Sequence, residues 1–147
     1  MNTMFGSKQL SQYNRSAALS APPARLLTML YDRLLLDLGR AEAAQLDQDW
    51  AGASEQLLHA QAIVTELSTT LDMTAWDGAD ALMAVYSYVS AGLIDANIHR
   101  NVSRTRECIT MLEPLRLTWH EAAAALPAQA TAEPLAMAAA GGMLGVG

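Results

Sequence analysis

The sequence predicts an all-α protein: an antiparallel up-and-down four-helix bundle over residues 21–126, with an N-terminal arm over 1–20 and a disordered tail over 127–147. Three observations predict it. Hydrophobic residues make up 52% of the 147, yet Ala and Leu dominate, Val and Ile are sparse and aromatics reach only 5%, a balance that favours helices over sheets. Apolar residues recur at spacings of three and four in four successive segments, as amphipathic helices require. The connectors are short, and links of about two to eight residues leave room for little but return passes.

The arm is rich in Ser, Asn and Gln, with Leu10, Tyr13 and Leu19 its sizeable apolar groups after residue 9. It cannot make a core of its own. Ser20 before Ala21-Pro22-Pro23 is a helix start, since a hydroxyl caps free amide donors and proline's fixed φ suits a first turn. The first helix runs to about Leu46, with Leu27, Leu30, Tyr31, Leu34, Leu38 and Ala41 on one face. Asp49 caps a second helix whose seam is Ala53, Leu57, Ala60, Val64, Leu67 and Leu71. After a connector, Asp77 is the expected cap of a third helix, with Leu82, Val85, Tyr86, Val89, Leu93 and Ala96 along one side and an end near Arg100. Asn101 caps the fourth, striped by Val102, Thr105, Cys108, Ile109, Leu112, Leu115 and Trp119. Pro114 falls inside it. A proline there removes a hydrogen bond and crowds the preceding turn, so a kink near 110–114 is expected. Beyond Leu126 come small residues, two prolines and terminal glycines, with no apolar stripe to dock.

Composition and motifs exclude several function classes. Nine Lys and Arg against 15 Asp and Glu give a net charge of −6, so the broad basic field that nucleic acid needs is absent. The stretch from Leu26 to Leu38 is interrupted by Asp32, Arg33 and Asp37 and falls short of the roughly 20 residues of a membrane span. Membrane insertion is not expected. Cys108 has no partner for an internal disulfide and the N-terminus lacks a secretory apolar run, which points to the cytoplasm. His59, His99 and His120 form no two-ligand helix motif, so neither metal nor cofactor is expected. Cys108 reads as a small core group rather than a nucleophile, and no glycine-rich phosphate loop occurs. The carboxylates are spread singly, as on a solvated face. No enzyme is expected.

The helices carry more apolar surface than one core needs. At about 100° per residue, Met29 and Leu36 fall opposite the core face of the first helix. Met83, Ile94 and Ile98 lie off the main stripe of the third, whose only formal charges from 77 to 98 are Asp77, Asp80 and Asp95. Such surface is covered by the arm, by neighbouring helices, by a second copy of the chain, or by an amphipathic partner held in a groove.

The order of features resembles the flagellin export chaperones of the FliS family. Tyr13 precedes LSAPPARLLTMLYD, which is similar to the family's helix start followed by Met-Leu-Tyr-Asp at Met29 to Asp32. AQAIVTEL from Ala60 and Leu71-Asp72 match the second helix, VYSYV from Val85 and LIDAN from Leu93 the third, and LEPLRLTW from Leu112 the end of the fourth. The likeness covers Tyr13 to Trp119. Departures are Pro22-Pro23, Pro114 and the long Ala/Gly tail.

The resemblance implies a cytosolic helical bundle that binds the disordered C-terminal segment of flagellin, prevents premature polymerisation and delivers it to the flagellar type III export gate. It implies a lid role for Tyr13, to which Leu10 is added. The helical wheels suggest Met29, Leu36, Met83, Ile94 and Ile98 as the groove, while Tyr31, Asp32, Asn97 and Trp119 match family positions and read as architectural. Asn97 is expected to hydrogen-bond across helices and Trp119 to close the core. The expected state is a monomer or weak homodimer. The alternative is a structural bundle that self-associates through its apolar surface.

Overall fold

The computed structural model describes residues 21–126. Four helices account for most of them: α1 Ala21–Leu46, α2 Trp50–Thr70, α3 Ala79–Ile98 and α4 Val102–Ala125. The arm and the tail, with Leu10, Tyr13 and Ser20, lie outside the described residues.

Two tight turns use the same local chemistry. At the end of α1, Gln48 takes a left-handed backbone (φ 60°) and the Asp49 amide returns to the Ala44 carbonyl at 2.8 Å. At the end of α3, Arg100 does the same (φ 53°), with the Asn101 amide on the Ala96 carbonyl at 3.0 Å. These bonds satisfy carbonyls that a helix end leaves open, and neither position is the usual glycine. The next residue then starts a new helix. The Asp49 carboxylate accepts from the Gly52 amide at 3.0 Å and the Asn101 side-chain oxygen from the Arg104 amide at 3.3 Å, as the sequence predicts. Asp77 differs: α3 opens at Ala79, two residues later.

The described chain divides into two units. The larger comprises Met29–Asp72 and Ala79–Arg116 and so contains the main length of every helix. Its cross-helix bonds fix the topology. Asp32 meets Arg116 and Glu42 meets Arg106, so α4 runs against α1. Tyr31 meets Tyr86 and Gln45 meets the Ala96 carbonyl, so α3 runs with α1. Tyr88 and Asp95 of α3 meet Glu107 and Arg104 of α4, again antiparallel. Arg100 beside Trp50 brings the end of α3 to the start of α2. This is up-and-down order, with α1 and α3 diagonal to one another.

The core of this unit follows the sequence stripes. Tyr31, Leu34, Leu38, Leu57, Val64, Tyr86, Val89, Leu93, Cys108 and Leu112 are all buried. A β-carbon at Gly92 would stand 3.0 Å from the Cys108 sulfur and 3.1 Å from the Arg104 guanidinium, so the missing side chain permits the close approach of α3 and α4. Leu71, placed on the α2 seam by spacing, instead forms the C-cap of that helix in extended conformation.

The smaller unit contains, among the described residues, α1 up to Thr28, the connector Met73–Gly78 and α4 from Leu117. Trp76 and Trp119 meet edge to face in it, with centroids 6.5 Å apart and planes at 85°, a favoured aromatic geometry. Trp119 is buried. α4 continues through Pro114 to Ala125 without ending.

α3 is 20 residues long with mean hydropathy 1.2, enough by length and composition to cross a membrane. It is a longer apolar segment than Leu26 to Leu38, which is interrupted by Asp32, Arg33 and Asp37. Within the larger unit, however, α3 buries Leu82, Tyr86, Val89 and Leu93 and bonds to α1 and α4 through Tyr86 and Tyr88, as a core helix does.

Candidate partner-binding surface

α3 has two contrasting sides. Its buried stripe carries Leu82, Tyr86, Val89, Leu93 and Ala96. Its outer side presents Ala81, Ala84, Ser87, Tyr88, Ala91, Ile94 and Ile98, and every exposed residue from Ala81 to Ile98 is uncharged. Ile94 is 45% exposed and Ile98 69%. Asp95, the one formal charge in this stretch, is half-buried and occupied by His99 at 2.7 Å and Arg104 at 3.7 Å. The charges beside this face are paired ones of α4, Glu107 accepting from the Tyr88 hydroxyl at 2.8 Å and Arg104 lying 5.5 Å over its ring, so burying the exposed residues of α3 themselves desolvates no charge on that helix.

The five wheel-derived candidates divide between two surfaces. Met29 and Leu36 are exposed on α1, on the side opposite Tyr31, Leu34 and Leu38. Around them stand the exposed Asp32, Arg33 and Arg40. Ile94 and Ile98 are exposed on α3, and Met83 is half-buried beside them. Because α1 and α3 are diagonal partners, their outward sides face away from each other. No single groove gathers all five.

Of the residues matched to the family, Tyr31 and Asp32 make contacts across helices. Tyr31 is fully buried, its hydroxyl 2.7 Å from that of Tyr86. Burial, then the charge of Tyr31 and the bond to it, push the Tyr86 hydroxyl far above the ordinary tyrosine range. Asp32 receives Arg116 at 2.9 Å. At the level of Asn97 the bond across helices comes from Gln45 to the Ala96 carbonyl at 3.3 Å, while Asn97 itself is half-buried.

Asp37 corrects the expectation of singly solvated carboxylates. It is fully buried, receiving Arg33 Nε at 2.8 Å from one turn earlier and His59 Nδ1 from α2. His59 is therefore half-exposed but bonded rather than simply solvent-facing. The sequence holds a faint signal, since Arg33 and Asp37 stand four apart, but the α2 partner is invisible to it. Cys108 is buried, and burial pushes its thiol from 9.0 to about 11, which leaves it protonated and unreactive near neutrality. Among the described residues no group of three or more His, Cys, Asp or Glu side chains converges to hold a metal.

Residues 6–126 match the family described as flagellar protein FliS. The chain is similar to the flagellar secretion chaperone FliS of Escherichia coli (strain K12), with 31% identity over 124 residues, covering 80% of this chain and 91% of the relative. It is also similar to the protein of the same name in Bacillus subtilis (strain 168), with 29% identity over 110 residues, covering 75% and 82%. A family match spanning residues 6–126, together with 31% identity to a relative covered over 91% of its length, shows that the chain belongs to the FliS family of flagellar secretion chaperones.

Proposed function

We propose that this protein is a cytoplasmic export chaperone that binds the disordered C-terminal segment of flagellin, keeps it from polymerising and hands it to the flagellar type III export apparatus. The single observation that carries the reading, beside family membership, is the uncharged outer face of α3. An amphipathic segment that is disordered when free buries its apolar side there as it becomes helical. Ala81, Ala84 and Ala91 are small, so a client helix approaches to the short end of the usual interaxial range of about 8–10 Å. Ile94 and Ile98 then supply the anchors.

The ordering entropy lost by the client offsets part of the contact energy, which keeps the complex specific and releasable without nucleotide hydrolysis. Met83 lies at the border of this surface, while Met29 and Leu36 serve a separate contact. Leu10 and Tyr13 act as a lid over client-binding surface before flagellin arrives. Components of the export gate take the loaded complex.

The test is a titration with a flagellin C-terminal peptide. Circular dichroism gains helical signal beyond the sum of the parts, and a 1:1 complex elutes from a sizing column. Elution of the chain alone as a stable dimer that excludes the peptide would assign the α3 face to self-association instead.

A further inference from the structure

Near the end of α1 the larger unit holds a pocket of about 260 Å³. Gln45, Ser54, Asn97 and Arg100 supply its polar lining, Trp50 and Ile98 stand beside them, the rest is aliphatic and no acidic residue takes part. Gln45 is only 4% exposed. Its amide nitrogen donates to the Ala96 carbonyl at 3.3 Å, but its buried Oε1 receives no donor from the protein. A buried amide oxygen is costly until something donates to it. Arg100, exposed and left-handed in its backbone (φ 53°), lays its guanidinium 4.9 Å from the centroid of the Trp50 ring and so gives the pocket a cationic, aromatic-backed side.

The chemistry that fits is narrow. A cationic group meets no carboxylate in the lining and is repelled by Arg100. A carboxylate pairs with Arg100 but has no proton for Gln45 Oε1. An aliphatic group leaves that oxygen as it is. A hydroxyl can give its one proton to Gln45 Oε1, whereas a primary carboxamide supplies an N–H for that oxygen and, on a separate atom, a carbonyl for the donors of Asn97 or Arg100 at once. The volume falls below the range of about 300–1,000 Å³ typical of small-molecule sites, so it suits one side chain rather than a cofactor. Ile98 belongs both to the pocket lining and to the exposed face of α3, which brings a segment docked on that face past the pocket.

We infer that this pocket is a specificity site that receives an Asn or Gln side chain of the segment bound along α3. The inference rests on the docking proposed above for that face. It adds a register determinant: apolar anchors on α3 fix the face of the client helix, and one carboxamide fixes its position along the helix axis.

Two measurements on the full chain test it. In the first, the ¹⁵N-labelled protein is titrated with N-acetyl glutamine methylamide, and with the glutamate and leucine analogues. The glutamine compound shifts the Trp50 indole and Gln45 side-chain amide resonances saturably, at least about tenfold more tightly than the other two. Gln45→Met abolishes the Trp50 shift. This variant keeps its fold, because the Ala96 carbonyl still holds the Asn101 amide at 3.0 Å; an unchanged unfolding midpoint verifies it. No saturable shift, or an equal response to the leucine analogue, overturns the inference and leaves a pocket that holds water only.

In the second, each Asn and Gln of the flagellin C-terminal segment is changed in turn to Asp or Glu. One change lowers affinity about tenfold for the natural chain and leaves Gln45→Met unaffected. Losses that are the same in both proteins overturn the inference. If the unmodified flagellin segment fails to bind at all, the docking on α3 falls, while the amide titration still decides the pocket.

Discussion

Tyr31 of α1 and Tyr86 of α3 place their hydroxyl oxygens 2.7 Å apart with both side chains buried. The pair is a polar pin between diagonal helices, where most bundles place two aliphatic groups. Such a bond contributes little net energy but costs much to half-remove. Tyr31→Phe is therefore expected to destabilise by about 1–2 kcal/mol, since the Tyr86 hydroxyl stays buried without it. The double change to Phe is expected to cost less than the sum of the singles. Urea unfolding of the four proteins in a double-mutant cycle measures this coupling.

The same burial predicts alkaline sensitivity. Tyr86 ionises far above the ordinary range in the folded chain, and Cys108 rises from 9.0 to about 11. For a raised pKa, stability is complete below the unfolded value and is lost as pH climbs past it. The loss starts near pH 9 through Cys108 and steepens above about 10 through Tyr86, by about 1.4 kcal/mol per pH unit for each group. Unfolding midpoints from pH 8 to 11 should fall accordingly, and Cys108→Ala should remove the earlier part of the slope. A flat profile across that window would contradict the burial of both groups.

Asp37 is buried while its partners Arg33 and His59 are each about half exposed, 51% and 50%. Removing the carboxylate releases two partners to water, whereas removing His59 leaves a buried charge with less compensation. His59→Ala is thus expected to cost about 1–2 kcal/mol more than Asp37→Leu. Adding Asp37→Leu to the His59 variant should restore stability. Thermal denaturation at neutral pH distinguishes the order.

Pro114 lies inside α4, and its ring denies the Thr110 carbonyl its usual helical donor. Thr110 is exposed, which leaves its carbonyl open to a solvent donor, and the helix continues to Ala125. Pro114→Ala is expected to stabilise by about 1–3 kcal/mol, seen as a higher urea midpoint with unchanged slope. Destabilisation would mean that the proline sets a packing angle that alanine does not reproduce.

Ile94 and Met83 separate binding from folding. Ile94 is 45% exposed, so Ile94→Asp should change stability by no more than about 0.5 kcal/mol and still weaken flagellin binding about tenfold or more. Half-buried Met83 should lose stability as well as affinity when changed to Asp. Calorimetric binding and unfolding of both variants, compared side by side, give the answer.

The sequence by itself determined the four helices, two of their caps and the core stripes. A helix period, an Asp or Asn at a helix start and an apolar seam are local properties that neighbouring residues express without help. The family was also readable, because short motifs keep their order and spacing along the chain. Only the tertiary structure decided which surplus apolar residues share a surface. Met29 and Leu36 look equivalent to Ile94 and Ile98 on a helical wheel, but α1 and α3 are diagonal and turn their outer sides apart. Burial of Asp37 was hidden for a related reason: its compensation comes from His59, 22 positions away, and a carboxylate reads as solvated until its distant partner is known. The unsatisfied oxygen of Gln45 has the same origin, since an orphan acceptor exists only once three helix ends have closed around it.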